Sequence, residues 1–183
     1  MENLRETRVA REEIFDGRVI HLTCDTVELP NGHTSTREVA WHRGAVCVVP
    51  VTDDGEVVLV EQFRYPYDTT LLEIPAGKLE PGETDRAAAA RRELAEETGF
   101  RAAELIDFGD YYGSPAILRE KITMYLALGL TPGECRPDDD EFIHVKKIPL
   151  DELCEQILRG EIPDGKTQAA VLRAKLWLEK HGK

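Results

Sequence analysis

The chain has 183 residues, 42% of them hydrophobic, enough for one well-buried core with a small extension but not for two full domains. Its 35 Asp and Glu against 23 Lys and Arg give a formal net charge of −12, which excludes tracking along a nucleic-acid backbone, a task that needs clustered cations. The longest apolar runs, such as AVCVVPV, are far too short to span a bilayer, and no charged-then-apolar segment opens the chain, so neither a membrane partner nor a targeting signal is expected.

In chain order, RVIHLTCDTVEL and TSTREVAW flank the turn signal NGH and predict an N-terminal hairpin. GAVCVVPV and EVVLVEQF flank TDDG and predict a second hairpin. A helix around ARRELAEE follows, with Thr84 as its expected N-cap and Gly99 as its C-terminal stop. Further strands are expected at ELIDFGDYY, KITMYLALGL and EFIHVKKI. PLDELCEQILRG and KTQAAVLRAKLWLEKH read as helices, the latter with Ala169, Leu172, Leu176 and Trp177 at helical spacing. Runs of strands broken by few helices predict an α+β protein with a mixed sheet between helices. Cys24, Cys47, Cys135 and Cys154 form no CxxC pair, which reads as reduced thiols in a cytoplasm rather than a zinc site or a disulfide framework.

The stretch GKLEPGETDRAAAARRELAEETGF carries the chemistry. Glu93, Glu96 and Glu97 stand at i, i+3 and i+4, within one arc of about 100° on a helix. Like charges at that spacing repel by a few tenths of a kcal/mol per pair. A helix built only for solubility interleaves lysine, so the repulsion points to a cation. Magnesium suits such a face, because it takes oxygen ligands in an octahedron and keeps several waters. Metal ions can neutralise and orient a pyrophosphate and activate a water for in-line attack on phosphorus. The ordinary reading of a glutamate cluster is a solvated acidic face.

These residues resemble the Nudix box, G-x5-E-x7-R-E-U-x-E-E-x-G-U, where U is apolar. Gly77, Glu83, Arg92, Glu93, Leu94, Glu96, Glu97, Gly99 and Phe100 match it. Eight residues, Thr84 to Arg91, separate Glu83 from Arg92, one more than the pattern has, and the first helical turn is expected to absorb the extra one. The resemblance implies metal ligation by Glu93, Glu96, Glu97 and the backbone carbonyl of Ala76, with Mg2+ as the ion and Mn2+ as the alternative. Glu97 counts among the catalytic residues as well.

Over nearly the whole chain the resemblance is to the ADP-ribose pyrophosphatase branch. Pro115 lies sixteen positions after Gly99, in SPAILREK, similar to that branch's S-P-G-x-S-x-E; Ser114, Pro115 and Glu120 match, whereas Ala116 and Leu118 replace Gly and Ser. VEQFRYP is similar to the strand whose arginine, here Arg64, touches substrate phosphate, and TSTREVAW to a stretch that lines the substrate site with Arg37 and Glu38. Substrate binding by Arg37, Glu38, Arg64, Pro115 and Glu120 is implied. The family also carries loop carboxylates close to the metals, and alignment of PDDDEFIHV to the following strand puts Glu141 and then Asp139 forward as the general base.

The implied architecture is a Nudix α/β/α sandwich with a mixed sheet over residues 43–183, preceded by a small antiparallel β arm over 1–42 that crosses to a partner in a homodimer. The implied reaction is metal-dependent hydrolysis of ADP-ribose to AMP and ribose 5-phosphate. The two replaced positions leave room for another nucleoside diphosphate sugar, and the extra residue after Glu83 leaves room for a module that binds ADP-ribose without cleaving it. A rival motif, GEIPDGKT, fits the P-loop expression G-x4-G-K-[ST]. A helix rather than a strand is expected before it, Glu161 and Asp164 would repel phosphate, and few residues follow, so it reads as a connector between helices.

Overall fold

The computed structural model describes residues 3–136 and 142–183. In chain order the elements are β1 (Thr7–Asp16), β2 (His21–Glu28), β3 (Thr34–Trp41), β4 (Ala45–Pro50), β5 (Glu56–Arg64), β6 (Thr69–Glu73), β7 (Ala76–Lys78), α1 (Arg86–Thr98), β8 (Phe100–Tyr111), β9 (Leu118–Arg119), β10 (Ile122–Pro132), β11 (Ile143–Pro149), α2 (Leu150–Leu158) and α3 (Gly165–His181). They divide into two compact units, Met1–Gly44 with Tyr112–Lys121, and Ala45–Tyr111 with Ile122–Lys183.

The first unit is one sheet in the order β1-β2-β3-β9. The expected hairpin is β2 with β3, paired antiparallel from His21↔Trp41 to Glu28↔Thr34. Strand β1 adds a further antiparallel partner on β2 that the sequence did not suggest. Its residues TRVAREEIFD mix charge and apolar side chains without a period of two and are exposed along almost the whole strand. Buried side chains are few here: Thr23, Asp25 and Val27, all on β2.

The second unit holds the mixed sheet β7-β4-β10-β8 and the antiparallel sheet β11-β5-β6. Strand β4 runs parallel to β10 and antiparallel to β7, and β10 runs antiparallel to β8. Every residue of β4 is buried, because successive side chains turn to opposite faces and both faces are covered. Val46 and Val48 pack with Ala89, Ala90 and Leu94 of α1. Cys47 and Val49 pack on the other side with Leu153 and Ile157 of α2 and Ala170, Val171 and Ala174 of α3. A mixed sheet thus lies between α1 and the α2–α3 pair, an α+β fold.

Two expectations need correction. The TDDG turn forms, with Gly55 N–H donating to the Thr52 carbonyl at 2.9 Å, but β4 and β5 share only a bridge at Val51↔Val57 and then part into different sheets. An all-apolar strand such as β4 has no solvent face to offer and takes a central place, so the local hairpin yields to β10. On α3 the buried stripe is Thr167, Ala170, Val171, Ala174 and Leu178, while Leu176 is exposed. The small Ala170 and Ala174 let the helix approach the sheet closely, which turns the expected stripe of Ala169, Leu172 and Trp177 to its margin.

Candidate active site

Helix α1 begins one residue later than expected. Asp85, not Thr84, caps it, accepting from Ala88 N–H at 2.9 Å from an extended backbone. A carboxylate at this place also suits the positive end of the helix dipole. Gly99 ends the helix as expected: its φ of 75° is left-handed, and its N–H donates to the Ala95 carbonyl at 2.9 Å. The helix runs unbroken between these caps, and Glu83 still reaches Arg92 at 3.1 Å. The extra residue therefore does not part Glu83 from the rest of the strip.

Along one face of α1, Glu93 and Glu97 are 8% and 3% exposed, in line with the buried Ala89 and Ala90. Glu96 lies at the strip's edge, partly open to solvent. Two carboxylates are seldom buried one turn apart unless something opposes their charge. Arg92 opposes part of it, contacting Glu93 at 2.8 Å and Glu83 and Glu96 at 3.1 Å. Burial acts to lower the Arg92 pKa, but the carboxylates of Glu93, Glu83 and Glu96 outweigh it and hold the guanidinium far above its ordinary range.

Strand β7 faces this strip. Ala76 N–H donates to Glu97 Oε2 at 3.1 Å. Gly77 lies so close to Glu93 that a Cβ there would meet the carboxyl carbon at 1.9 Å and both its oxygens at 2.1 Å. The first glycine of the motif is a glycine because a carboxylate occupies the place of its side chain. Among the described residues no three His, Cys, Asp or Glu side chains converge as a finished metal cluster, since Arg92 draws Glu93 and Glu96 toward itself. The donors nonetheless fit a divalent cation: oxygen-only side chains, two of them buried, with the Glu93 carboxylate filling the space over Gly77.

Arg64, expected on substrate phosphate, turns its planar fork onto buried Glu73, with Nε and Nη2 at 2.7 and 2.8 Å from the two oxygens. Lys166 also grips Glu73, and its Nζ lies 3.0 Å from Asp164. Burial acts to raise the Glu73 pKa, but the Arg64 hydrogen bonds and the Lys166 charge hold it down at about 2. The GEIPD part of GEIPDGKT thus connects α2 to α3, with Asp164 as the cap, and its GKT forms the first turn of α3 rather than part of a connector. Its Lys and Thr hold protein groups, a role the motif reading missed. The signal lay in the pairing of LLEIPAG with PDGKT, whose partners in space no spacing reveals.

The candidates Arg37, Glu38, Pro115 and Glu120 belong to the first unit. Arg37 pairs with Glu6 at 2.5 Å, and Glu38 beside it is exposed. As neighbours on β3 the two face opposite sides of the sheet, so they do not line one surface together. Pro115 and Glu120 line a cavity of about 460 Å³ with Val39, Tyr112 and Arg119, and Glu120 lies 3.1 Å from His42. Glu141 and Asp139, the expected bases, lie outside the described residues.

The fold is thus a mixed sheet between helices, with a buried carboxylate strip on one helix pressed against a glycine-bearing strand. The chain belongs to the NUDIX domain family, which matches residues 41–171; residues 6–40 match the nucleoside diphosphate sugar hydrolase N-terminal domain. An ADP-ribose pyrophosphatase of Bacillus subtilis (strain 168) is 42% identical over 173 residues, 93% of each chain. A methanol dehydrogenase activator of Bacillus methanolicus is 44% identical over 168 residues, 91% of this chain and 90% of its own. The crystal structure of an ADP compounds hydrolase shares the fold, with a TM-score of 0.85 at 24% identity over 100% of this chain and 99% of that one.

Proposed function

We propose that the protein hydrolyses the pyrophosphate bond of ADP-ribose to AMP and ribose 5-phosphate with the help of a divalent cation, Mg2+ or Mn2+. The carrying observation is the fit of Glu93 into the space over Gly77, beside Glu97 on Ala76, in a chain 42% identical to an ADP-ribose pyrophosphatase. Glu93, Glu96, Glu97 and the Ala76 carbonyl would hold the cation. A bound divalent cation neutralises phosphate charge and eases deprotonation of the attacking water. Glu97 is fixed by the Ala76 amide, so its charge stays aimed at the site. Glu141, with Asp139 as the alternative, takes the proton from the water as its oxygen bonds to phosphorus and the bridging P–O bond breaks. Pro115 and Glu120 contribute to substrate binding from their shared cavity, and Arg37, Glu38 and Arg64 are the remaining candidates.

A homodimer completes this reading. Strand β1 is a sheet edge with Val9, Ile14 and Phe15 exposed, a surface suited to cover by a second copy, and residues 1–42 form the arm that reaches it. The four free cysteines support a cytoplasmic setting, and among the described residues no helix is long and apolar enough to cross a membrane. A second reading, a pyrophosphatase for another nucleoside diphosphate sugar, is favoured by Ala116 and Leu118 in place of Gly and Ser and by the description of the N-terminal domain. The test is a turnover screen of ADP-ribose, ADP-glucose, GDP-mannose and UDP-glucose with each metal, in the native protein and in Glu97→Gln. Highest kcat/KM on ADP-ribose, lost in the variant, is the expected result; preference for another sugar nucleotide selects the second reading, and no turnover on any compound leaves a binding module.

A further inference from the structure

We propose that the first turn of α3, Asp164 to Thr167, is a clamp on residues 73–77 that sets how tightly the site holds its cation. This rests on the cation reading above. Beyond the pairing of Glu73 with Val60 on β5 and of Ala76 and Gly77 with Cys47 and Val46 on β4, each residue of the segment has at least one identifiable contact. Glu73 is gripped by Arg64 and Lys166. The Ile74 N–H donates to the Thr167 hydroxyl at 2.9 Å. The Pro75 carbonyl accepts from Val48 N–H at 2.9 Å, the Ala76 N–H donates to Glu97, and Gly77 lies against Glu93.

Two of these contacts come from α3, and both are tied to Asp164. That carboxylate accepts from Thr167 N–H at 2.9 Å, from the Thr167 hydroxyl at 2.5 Å and from Lys166 Nζ at 3.0 Å. The Thr167 hydroxyl therefore donates to the cap and accepts from Ile74, so it fixes the helix end and the segment together. A helix cap alone needs neither a buried lysine nor a hydroxyl aimed at another element. Burying the Lys166 ammonium is costly, and the structure meets that cost with the carboxylates of Glu73 and Asp164. The lever is short. Proline between Ile74 and Ala76 restricts backbone adjustment, so displacement at Ile74 passes to Ala76 and Gly77, the residues that meet Glu97 and Glu93. Lys166 and Thr167 are positioning residues in this scheme, acting on the carboxylate strip through the segment they hold.

The experiment measures Mn2+ binding to the full-length protein by electron paramagnetic resonance, beside the Mg2+ concentration for half-activation and the melting temperature. Thr167→Val keeps the shape and removes both hydrogen bonds; Thr167→Ser restores them. Leu178→Ala, buried near the far end of α3, is a control for general destabilisation. Thr167→Val is expected to weaken Mn2+ binding about 10- to 100-fold, with Thr167→Ser within about threefold of native and Leu178→Ala unchanged. Lys166→Met is read in the same way and decides the matter should Thr167→Val not fold. Native Mn2+ affinity in the destabilised Thr167→Val or Lys166→Met protein overturns the clamp. If Glu93→Gln and Glu97→Gln also leave Mn2+ affinity unchanged, the cation reading itself fails and the clamp with it, a pattern distinct from loss of the clamp alone.

Discussion

Substituting Gly77 by alanine adds one carbon at the point where strand and helix meet. On the native backbone that Cβ would stand 1.9 Å from the Glu93 carboxyl carbon and 2.1 Å from its oxygens. Ordinary contact between carbons begins near about 3.5 Å, so the carboxylate must withdraw by more than about 1 Å. Glu93 is the end of a flexible side chain, so it moves and the strand stays. Gly77 is not among the glycines with positive φ, so alanine is allowed there and shifts stability by no more than about 1 kcal/mol. Displacing a group in the site by about 1 Å costs roughly 100-fold in rate, equal to about 2.7 kcal/mol of barrier. Turnover of ADP-ribose at saturating Mg2+ and urea unfolding of the same preparation measure the two effects. The expected outcome is a folded protein with kcat down at least about 100-fold. Native turnover in Gly77→Ala would refute the idea that the fit of Glu93 over Gly77 places it for chemistry.

Acid should expose the buried charge network: Glu73 is held at about 2 against an ordinary 4.5, so its contribution is complete above pH 4.5 and is lost as pH falls through 2. That contribution is roughly 3 kcal/mol, and Glu73→Gln should lack it, so parallel acid unfolding of the two proteins would contradict the assignment. If the arm of the proposed homodimer also completes the partner's substrate site, deleting residues 1–40 should abolish dimerisation, read by sedimentation, and raise the KM for ADP-ribose while Mn2+ still binds; a monomer with native kinetics would defeat that role of the arm. Glu141→Gln should lower kcat with KM nearly intact, the pattern of a lost transition-state role; full activity would move the base to Asp139 or Glu120.

The part of the site that sequence made legible is the part held within one element. Glu93, Glu96 and Glu97 share a helix whose period fixes their mutual placement, and Gly99 announces the helix end by its left-handed backbone. Where two neighbours could do the same task, sequence erred by one: Asp85 caps α1 in place of Thr84. Long-range choices were hidden. Nothing local in AVCVVP and EVVLVEQF says that the strands part after their turn, because the decision lies with β10, far along the chain. Strand β1 shows no alternation because it is exposed almost throughout, and so it left no pattern to read. Arg64, 9 residues away across the β5–β6 hairpin, and Lys166, 93 residues away, converge on Glu73, a meeting that no local pattern announces.

Metal-dependent cleavage of ADP-ribose by the α1 carboxylate strip can be followed in a product assay. Native protein is incubated with ADP-ribose in Mg2+, in Mn2+ and in excess chelator, and the nucleotides and sugar phosphates are separated by ion-exchange chromatography. AMP and ribose 5-phosphate are expected in equal amounts with either metal, neither with chelator, and neither with Glu93→Gln in Mg2+. Intact ADP-ribose in the native reaction with both metals, or products that persist in chelator, would contradict it.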